Sequence, residues 1–205
     1  WGRRLSEDRR WYWDGVQWFH VAPPSGHDPR SMRFAHRVGA GKFLVGGASG
    51  SLFELSSEQG WTELVPKGEP QLVFERATGS LDNLLLLVGT LAGAPVLYVV
   101  EQGRWRTPLM LAGAVSVNDI SAVGEHRWVL VGRSHEGGGW LGIYDGERHA
   151  LVMVDASSPR PLLAVAGDSD LGHTGEAYAV GPGGTAFRIH PTEDDVQLVP
   201  EYVMT

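Results

Sequence analysis

The heptapeptide LLLLVGT at residues 84–90 decides the fold, because every residue before its glycine is apolar and the pattern recurs. Related segments are KFLVGG at 42–47, RWVLVGR at 127–133 and EAYAVGP at 176–182. Their marker glycines, separated by 43, 43 and 49 residues, are Gly46, Gly89, Gly132 and Gly181. Gly2 lies 44 residues before Gly46 and marks an earlier unit. Such a period predicts a structure of repeated units.

A second marker, a turn followed by a short strand, follows the same period. It occurs as DGVQWFHV, EQGWTELV, EQGRWRTPL, DGERHALVM and EDDVQLV. Its reference residues, spaced by 43, 44, 44 and 47 residues, are Trp18, Trp61, Trp105, His149 and Val196. A third strand, such as SLFEL or VLYVV, lies between the markers, and a more variable one, such as LVFERA, precedes the glycine-ended strand. Four strands in about 40 to 45 residues match one propeller blade.

The apolar strands must be covered on both faces, as happens when each blade packs between two neighbours. We therefore predict an all-β fold, a β-propeller of four-stranded antiparallel blades. The units are expected at about 1–22 (partial), 23–66, 67–110, 111–154 and 155–205. The ring has five blades if EYVMT at 201–205 completes the first unit; otherwise the chain is a fragment of a larger propeller. A β-sandwich or a β-solenoid is the alternative, but a sandwich requires no such period.

The marker glycines are expected at strand ends, where a tight turn or positive φ favours a residue without Cβ. The repeat also resembles bacterial propeller families, common in myxobacteria, whose blades read approximately VWAVG, G-x-I and DGxxW in that order. The matching pieces are SAVGEHRWVLVG with GIYDGERH, HTGEAYAVGPGGTAF, and YWDGVQWFHV. Tryptophan is absent from this pattern at His149 and Val196. The resemblance implies an interaction or sensory module of a larger bacterial protein.

Charge and composition narrow the classes of partner. The formal charge of -7 and a pI near 5.6 argue against general binding to nucleic acid or anionic membranes. No apolar stretch approaches the ~20 residues of a membrane helix, so no membrane insertion is expected. The absence of cysteine excludes disulfides and cysteine-based metal sites. Because the chain starts at Trp1 without methionine, we expect a piece of a longer protein.

Three groups of residues are candidates for chemistry or ligand binding. Trp18, Trp61 and Trp105 could stack on repeated sugars, although equivalent aromatic residues are also expected to pack between blades. Glu75 and Asp119 each lie 14 residues after their reference tryptophan, and a carboxylate pair there could hydrolyse glycosides. Polar residues also line propeller channels without catalysing reactions. The structural interpretation is favoured in both cases.

Metal and cofactor signals are weak. The segment GDSDLGHTGE at 167–176 contains Asp168, Asp170 and Glu176, which could surround calcium, but an extended polar hairpin is favoured. The eight histidines are dispersed, and no HExxH, GxSxG or phosphate-loop motif is present. We predict no catalytic centre, no metal site and no cofactor.

The favoured function is therefore non-enzymatic binding of a protein or peptide by irregular loops at one end of the propeller. The segment at 22–31 and the HEGGGW turn at 135–140 are the candidate contacts. The candidate binding residues are Arg30, Arg33, His135 and Trp140. Carbohydrate binding is the first alternative, and glycoside hydrolysis by Glu75 and Asp119 is the second.

Overall fold

The computed structural model describes residues 10–13, 18–21, 24, 26, 28, 31–56, 59–64, 71–124, 126–154, 158–167, 175–191 and 196–200. The first strands, β1 (Arg10–Trp13) and β2 (Trp18–Val21), form an antiparallel hairpin. Arg30, Asp168 and Asp170 lie outside the described residues, as does the expected inner strand at 201–205. No helix among the described residues is long and apolar enough to cross a membrane.

Four antiparallel sheets follow the hairpin, each with four strand positions in chain order. The first blade contains β3 (Met32–Gly39), β4 (Lys42–Gly47), β5 (Leu52–Ser56) and β6 (Gly60–Glu63). The second contains β7 (Leu72–Gly79), β8 (Leu84–Leu91), β9 (Ala94–Glu101) and an outer strand in two pieces, β10 (Arg104–Trp105) and β11 (Leu109–Met110).

The third blade contains β12 (Ala114–Ala122), β13 (Arg127–Ser134), β14 (Gly139–Asp145) and β15 (Ala150–Val154). The fourth contains β16 (Ala164–Gly167), β17 (Ala177–Val180), β18 (Ala186–Pro191) and β19 (Val196–Pro200). A short 3-10 turn at Pro182–Gly184 joins β17 to β18. These consecutive four-stranded antiparallel sheets confirm the predicted β-propeller architecture.

Successive blades pack face to face through apolar cores, which explains why the second strand of each blade is apolar on both faces. Leu85 and Leu87 of β8 join a cluster with Leu44 of the first blade. Leu86 and Val88, which alternate with them, join the cluster that contains the third blade. The pattern repeats in β13, where Val129 and Val131 pack against the fourth blade. The strands β3, β7, β12 and β16 contact one another and form the inner edge of the arc.

The reason why glycine occupies the marker positions differs from the one predicted. Neither Gly89 nor Gly132 has a positive φ; instead, the inner strand lies against the space that a Cβ would fill. A Cβ on Gly89 would lie 2.2 Å from the Val73 carbonyl oxygen, and one on Gly132 would lie 1.9 Å from that of Ser116. In the first blade this position belongs to Gly47, whose Cβ would lie 2.0 Å from the Ser31 oxygen. The predicted Gly46 marker is therefore wrong by one residue.

A β-bulge follows this contact in the inner strands of the first three blades. Met32 pairs with Gly47 and Phe34 with Gly46, which leaves Arg33 as the extra residue. The same offset leaves Glu75 extra in β7 and Asn118 extra in β12. Three consecutive blades therefore place a bulged polar residue at the same position of the inner edge.

The last blade has one open face. Ala177 and Ala179 of β17 are buried against the third blade, whereas Tyr178 and Val180 on the opposite face are 44% and 45% exposed. Ala164 and Ala166 of β16 pair with Val180 and Tyr178, and both are also exposed. Among the described residues, none covers the side of the fourth blade on which a following blade would pack.

Candidate functional site

The candidate site lies at the central-turn end, which we define as the end where the two central strands of each blade are joined. Its turns lie at 48–51, 92–93, 135–138 and 181–185. Backbone hydrogen bonds tie the first three of these turns to the start of an inner strand. Gly50 N donates to Leu72 O at 2.6 Å, and His135 N donates to Gly113 O at 3.1 Å. The turns are therefore supported by backbone contacts with neighbouring segments.

Arg33 lies at this end, although not in the loop at 22–31. It belongs to β3, where the bulge makes it the extra residue, and its side chain is exposed. Because a bulge changes the direction of a side chain relative to the regular pleat, it can present Arg33 without disturbing the paired residues. Glu75 and Asn118 occupy the matching bulges and are half-buried.

The HEGGGW turn divides between surface and core. His135 is exposed in the β13–β14 turn, as expected. Trp140 belongs to β14 instead, is 5% exposed, and donates from Nε1 to Ala112 O at 3.1 Å. The prediction that Trp140 lies on an accessible loop is wrong, because its ring packs in the core between the second and third blades.

Two further arginines at this end were missed by sequence reasoning. Arg133 is exposed at the end of β13, and Arg160 is exposed in the segment before β16. The Arg160 guanidinium lies over the turn at Pro182–Gly184, where a Cβ on Gly183 would meet its Nη1 atom. No sequence signal separates these arginines from other surface arginines, because their grouping depends on the packing of the blades.

The Arg160 segment is held firmly in place. Ser158 is 7% exposed and donates from Oγ to Arg160 O at 2.7 Å. The Ser158 carbonyl oxygen accepts a bond of 2.9 Å from Gly139 N, at the start of β14. Leu162 N donates to Gly132 O at 3.0 Å, which adds a second link to the third blade. These bonds fix the arginine-bearing segment against the neighbouring sheet.

Among the described residues, this end carries the guanidinium groups of Arg33, Arg133 and Arg160 and the carboxylates of Asp28, Glu75 and Glu136. No ion pair between described residues includes one of the three arginines. The opposite end differs, since Arg148 lies 4.0 Å from Asp145 and His126 lies 3.8 Å from Glu147. The three arginines of the central-turn end are all exposed.

The carboxylates Glu75 and Asp119 do not occupy equivalent positions, contrary to expectation. The paired register aligns Glu75 with Asn118, because both are bulged, and aligns Asp119 with Arg76. The Asp119 Oδ2 atom accepts a hydrogen bond of 3.0 Å from Val165 N in the next blade. Asn118 Nδ2 also donates to that blade, to Leu162 O at 2.7 Å. Asp119 and Asn118 therefore join the third and fourth blades.

The tryptophans of the outer strands pack on other aromatic rings. Trp61 meets Phe53 edge-on, with ring centroids 6.0 Å apart. Trp105 meets Tyr98 at 6.0 Å and Phe74 at 6.5 Å, and it remains 38% exposed. The Trp18 side chain lies outside the described residues. Both described rings thus take the structural role that their equivalent positions favoured.

A cluster of ionisable groups spans the second and third blades near the opposite end. Glu101 Oε2 accepts hydrogen bonds from Arg106 and lies 4.0 Å from His149 Nε2. The Arg106 hydrogen bond lowers the pKa of Glu101. His149 Nδ1 lies 3.2 Å from the Tyr144 hydroxyl, and burial raises the pKa of Tyr144. No group of three or more potential metal ligands was found among the described residues.

The sequence matches no family model and no curated protein. Similar solved structures include YCF48 bound to D1 peptide, with a TM-score of 0.62 and 13% identity over 90% of this chain and 57% of the YCF48 chain. YCF48 from Cyanidioschyzon merolae has a TM-score of 0.57 and 12% identity over 91% of this chain and 62% of that one.

The Cps50 (Swd1) β-propeller domain of Myceliophteria thermophila has a TM-score of 0.60 and 12% identity over 87% of this chain and 61% of that one. At these identities the likeness establishes the fold alone. The chain spans about three fifths of the length of these three structures.

Proposed function

We propose that this chain is a non-enzymatic binding module that holds a protein or peptide segment at the central-turn end. The observation that carries the proposal is the exposed Arg33 at the bulge of the first inner strand, at the same end of the blades as the exposed Arg133 and Arg160. Bulges are frequent where a strand directs a side chain at a ligand. The YCF48 structure with bound D1 peptide supports a propeller of similar architecture as a peptide binder.

The exposed arginines favour a segment that carries carboxylates. A guanidinium group can donate two parallel hydrogen bonds to one carboxylate. Arg33 and Arg133 lie on strands, and the Arg160 segment is hydrogen-bonded to the third blade, so the backbone that carries these arginines is already ordered before binding. The proposed ligand is an extended acidic segment that crosses the inner edge of several blades.

Selection from a phage-displayed peptide library, followed by affinity measurement on variants, tests this function. We expect Arg33→Glu to weaken the selected peptides by at least about tenfold, or about 1.4 kcal/mol. Arg104→Glu is the matched control, because Arg104 is exposed on the outer strand of the second blade. Equal affinities of both variants would place the binding surface elsewhere and overturn the proposal.

A further inference from the structure

Arg133 projects from the third blade towards the fourth. Residues of β13 alternate between the two faces of the sheet, and Val129 and Val131 pack in the core shared with the fourth blade. Arg133 continues this row at the central-turn end, where it is exposed. In the other blades the residue after the marker glycine is uncharged: Ala48, Thr90 and Pro182. The blade architecture therefore does not require an arginine at this position.

The segment that carries Arg160 lies beside Arg133. Gly139 of β14 is the residue that pairs with Arg133 of β13. A Cβ on Gly139 would lie 3.1 Å from the Arg160 carbonyl oxygen and 2.8 Å from the Ser158 Cβ atom. The Arg160 segment therefore occupies the space beside Arg133 that a side chain at 139 would take, on the face that points towards the fourth blade. This contact also explains why the HEGGGW turn contains glycine at this position.

The guanidinium group of Arg160 extends over the central turn of the fourth blade. Its Nη1 atom lies where a Cβ on Gly183 would stand, so the glycine makes room for the arginine. Residues 132–140, 158–163 and 181–185 contain two arginines, Arg133 and Arg160, one glutamate, Glu136, and one histidine, His135. With the histidine neutral, two positive charges and one negative charge leave these segments positive, although the net charge of the chain is -7.

We propose that Arg133 and Arg160 together bind the phosphate group of a phosphorylated residue within the acidic segment. A phosphate monoester carries about -1.5 to -2 charges at neutral pH and has three acceptor oxygens, so it can accept hydrogen bonds from two guanidinium groups at once. A carboxylate has a single charge and two oxygens, which one arginine satisfies. This proposal rests on the function proposed above, because the phosphate belongs to the same ligand.

Fluorescence anisotropy with three labelled peptide pools tests the phosphate site. The pools share random flanks of aspartate, glutamate, alanine and glycine, and they fix phosphoserine, aspartate or serine at the centre. We expect the wild-type protein to bind the phosphoserine pool at least about tenfold more tightly than the aspartate pool. Arg133→Gln and Arg160→Gln are each expected to abolish this preference. Arg104→Gln is the matched control and is expected to keep it, because Arg104 is exposed on the outer strand of the second blade.

Gly183→Ala displaces the Arg160 guanidinium group without removing its charge, because the added Cβ would meet Nη1. Gly93→Ala is the matched control: Gly93 lies in the central turn of the second blade, has a positive φ like Gly183, and has no atom within 4 Å of an added Cβ. Both variants carry the strain of alanine at positive φ, and thermal unfolding verifies that both fold. We expect the preference for phosphoserine to fall at least about threefold in Gly183→Ala only. An equal preference in the two variants overturns the positioned site.

Failure of the phosphate site is distinguishable from failure of the proposed function. Peptides that depend on Arg33 but bind equally well with phosphoserine and with aspartate overturn the phosphate site alone. Absence of binding to all three pools contradicts both proposals. Phenyl phosphate tests the source of the phosphate: if it binds as tightly as the phosphoserine pool, the flanking segment contributes nothing and the proposed phosphorylated segment is overturned.

Discussion

At Gly132 the packing of an inner strand on its neighbour depends on the absence of one carbon atom. Replacing this glycine by alanine forces the Ser116 carbonyl away from β13. We expect Gly132→Ala to lower the free energy of unfolding by at least about 2 kcal/mol, within the range for overpacked cores. Chemical denaturation measures the loss.

Gly39→Ala is the control for this substitution, because an added Cβ there meets no atom closer than 3.8 Å and φ is not positive. Similar losses in Gly39→Ala and Gly132→Ala would show that the cost comes from glycine itself and not from the carbonyl contact.

His36 makes the junction between the first two blades sensitive to pH. Its Nε2 atom lies 2.9 Å from Gly79 O, and burial lowers its pKa, against the opposing effect of this hydrogen bond. The unfolded chain therefore binds the proton more readily than the folded one. The stability contribution is fully present above the ordinary pKa of 6.5 and is lost as pH falls towards the lower folded value.

We expect His36→Gln, which keeps a donor near Gly79 O, to reduce the loss of stability between about pH 7.5 and about pH 5. Denaturation at several pH values measures it, and exposed His135→Gln serves as the control. An unchanged pH dependence in His36→Gln would assign the effect to other groups.

Single residues also mark the limit of what the sequence predicts. The segment KFLVGG contains two adjacent glycines, and only the three-dimensional contact identifies Gly47 as the equivalent of Gly89. Trp140 was expected on a loop because of the glycines before it, yet β14 begins at Gly139. Local composition identifies a turn, but it does not fix the residue at which the next strand starts.

At the scale of elements, the hydrogen bonds between inner strands follow the repeat. His36 and Ser121 occupy equivalent positions, because each lies three residues after the bulged residue of its inner strand, Arg33 or Asn118. His36 bonds to Gly79 at the end of β7, and the Ser121 Oγ atom accepts a bond of 2.9 Å from Gly167 N at the end of β16. Each side chain thus joins its inner strand to the last residue of the next one.

Asp119 forms a second hydrogen bond between the inner strands of the third and fourth blades, by accepting from Val165 N. Mutation of Asp119 tests this bond separately. In Asp119→Ala the Val165 amide loses its acceptor, and a buried unsatisfied donor costs about 1–3 kcal/mol. Asp119→Asn keeps an acceptor oxygen and is expected to retain most of the stability. Hydrogen exchange at Val165 measures the difference: faster exchange in both variants, or in neither, would contradict the assigned role.

The alignment of the bulges shows that the expected equivalence of Glu75 and Asp119 is wrong. Counting 14 residues from the tryptophans makes Glu75 and Asp119 equivalent, but strand pairing makes Asn118 the partner of Glu75. The spacing from one reference residue includes an outer strand that is interrupted at 106–108 in one blade. Sequence periodicity therefore identifies the inner strands, but it does not show which residue of one inner strand is equivalent to which residue of the next.

At the scale of the whole molecule, each blade is stabilised by the faces it shares with its neighbours, as in other repeat architectures. The second and third blades are covered on both faces, whereas the fourth exposes Tyr178 and Val180. We expect the amides of β17 to exchange hydrogen faster than those of β8 and β13, because local opening costs less where fewer apolar contacts are lost.

Hydrogen exchange under native conditions checks this order, and uniform protection across the blades would contradict it.

The architecture itself was predictable, since the period and the apolar segment at 84–90 require stacked sheets. The grouping of Arg33, Arg133 and Arg160 at one end was not, because it arises only when three blades are packed together.

The glycine against the inner-strand carbonyl also bears on how such a protein can diverge after gene duplication. A core leucine can be replaced when the residues that face it in the adjoining unit change with it. At Gly89 or Gly132, however, any side chain would meet backbone atoms of the same unit. No compensating side-chain exchange restores the space. Among diverged copies of the unit, this glycine is therefore the position expected to change last, and the one from which ancestral duplications are best counted.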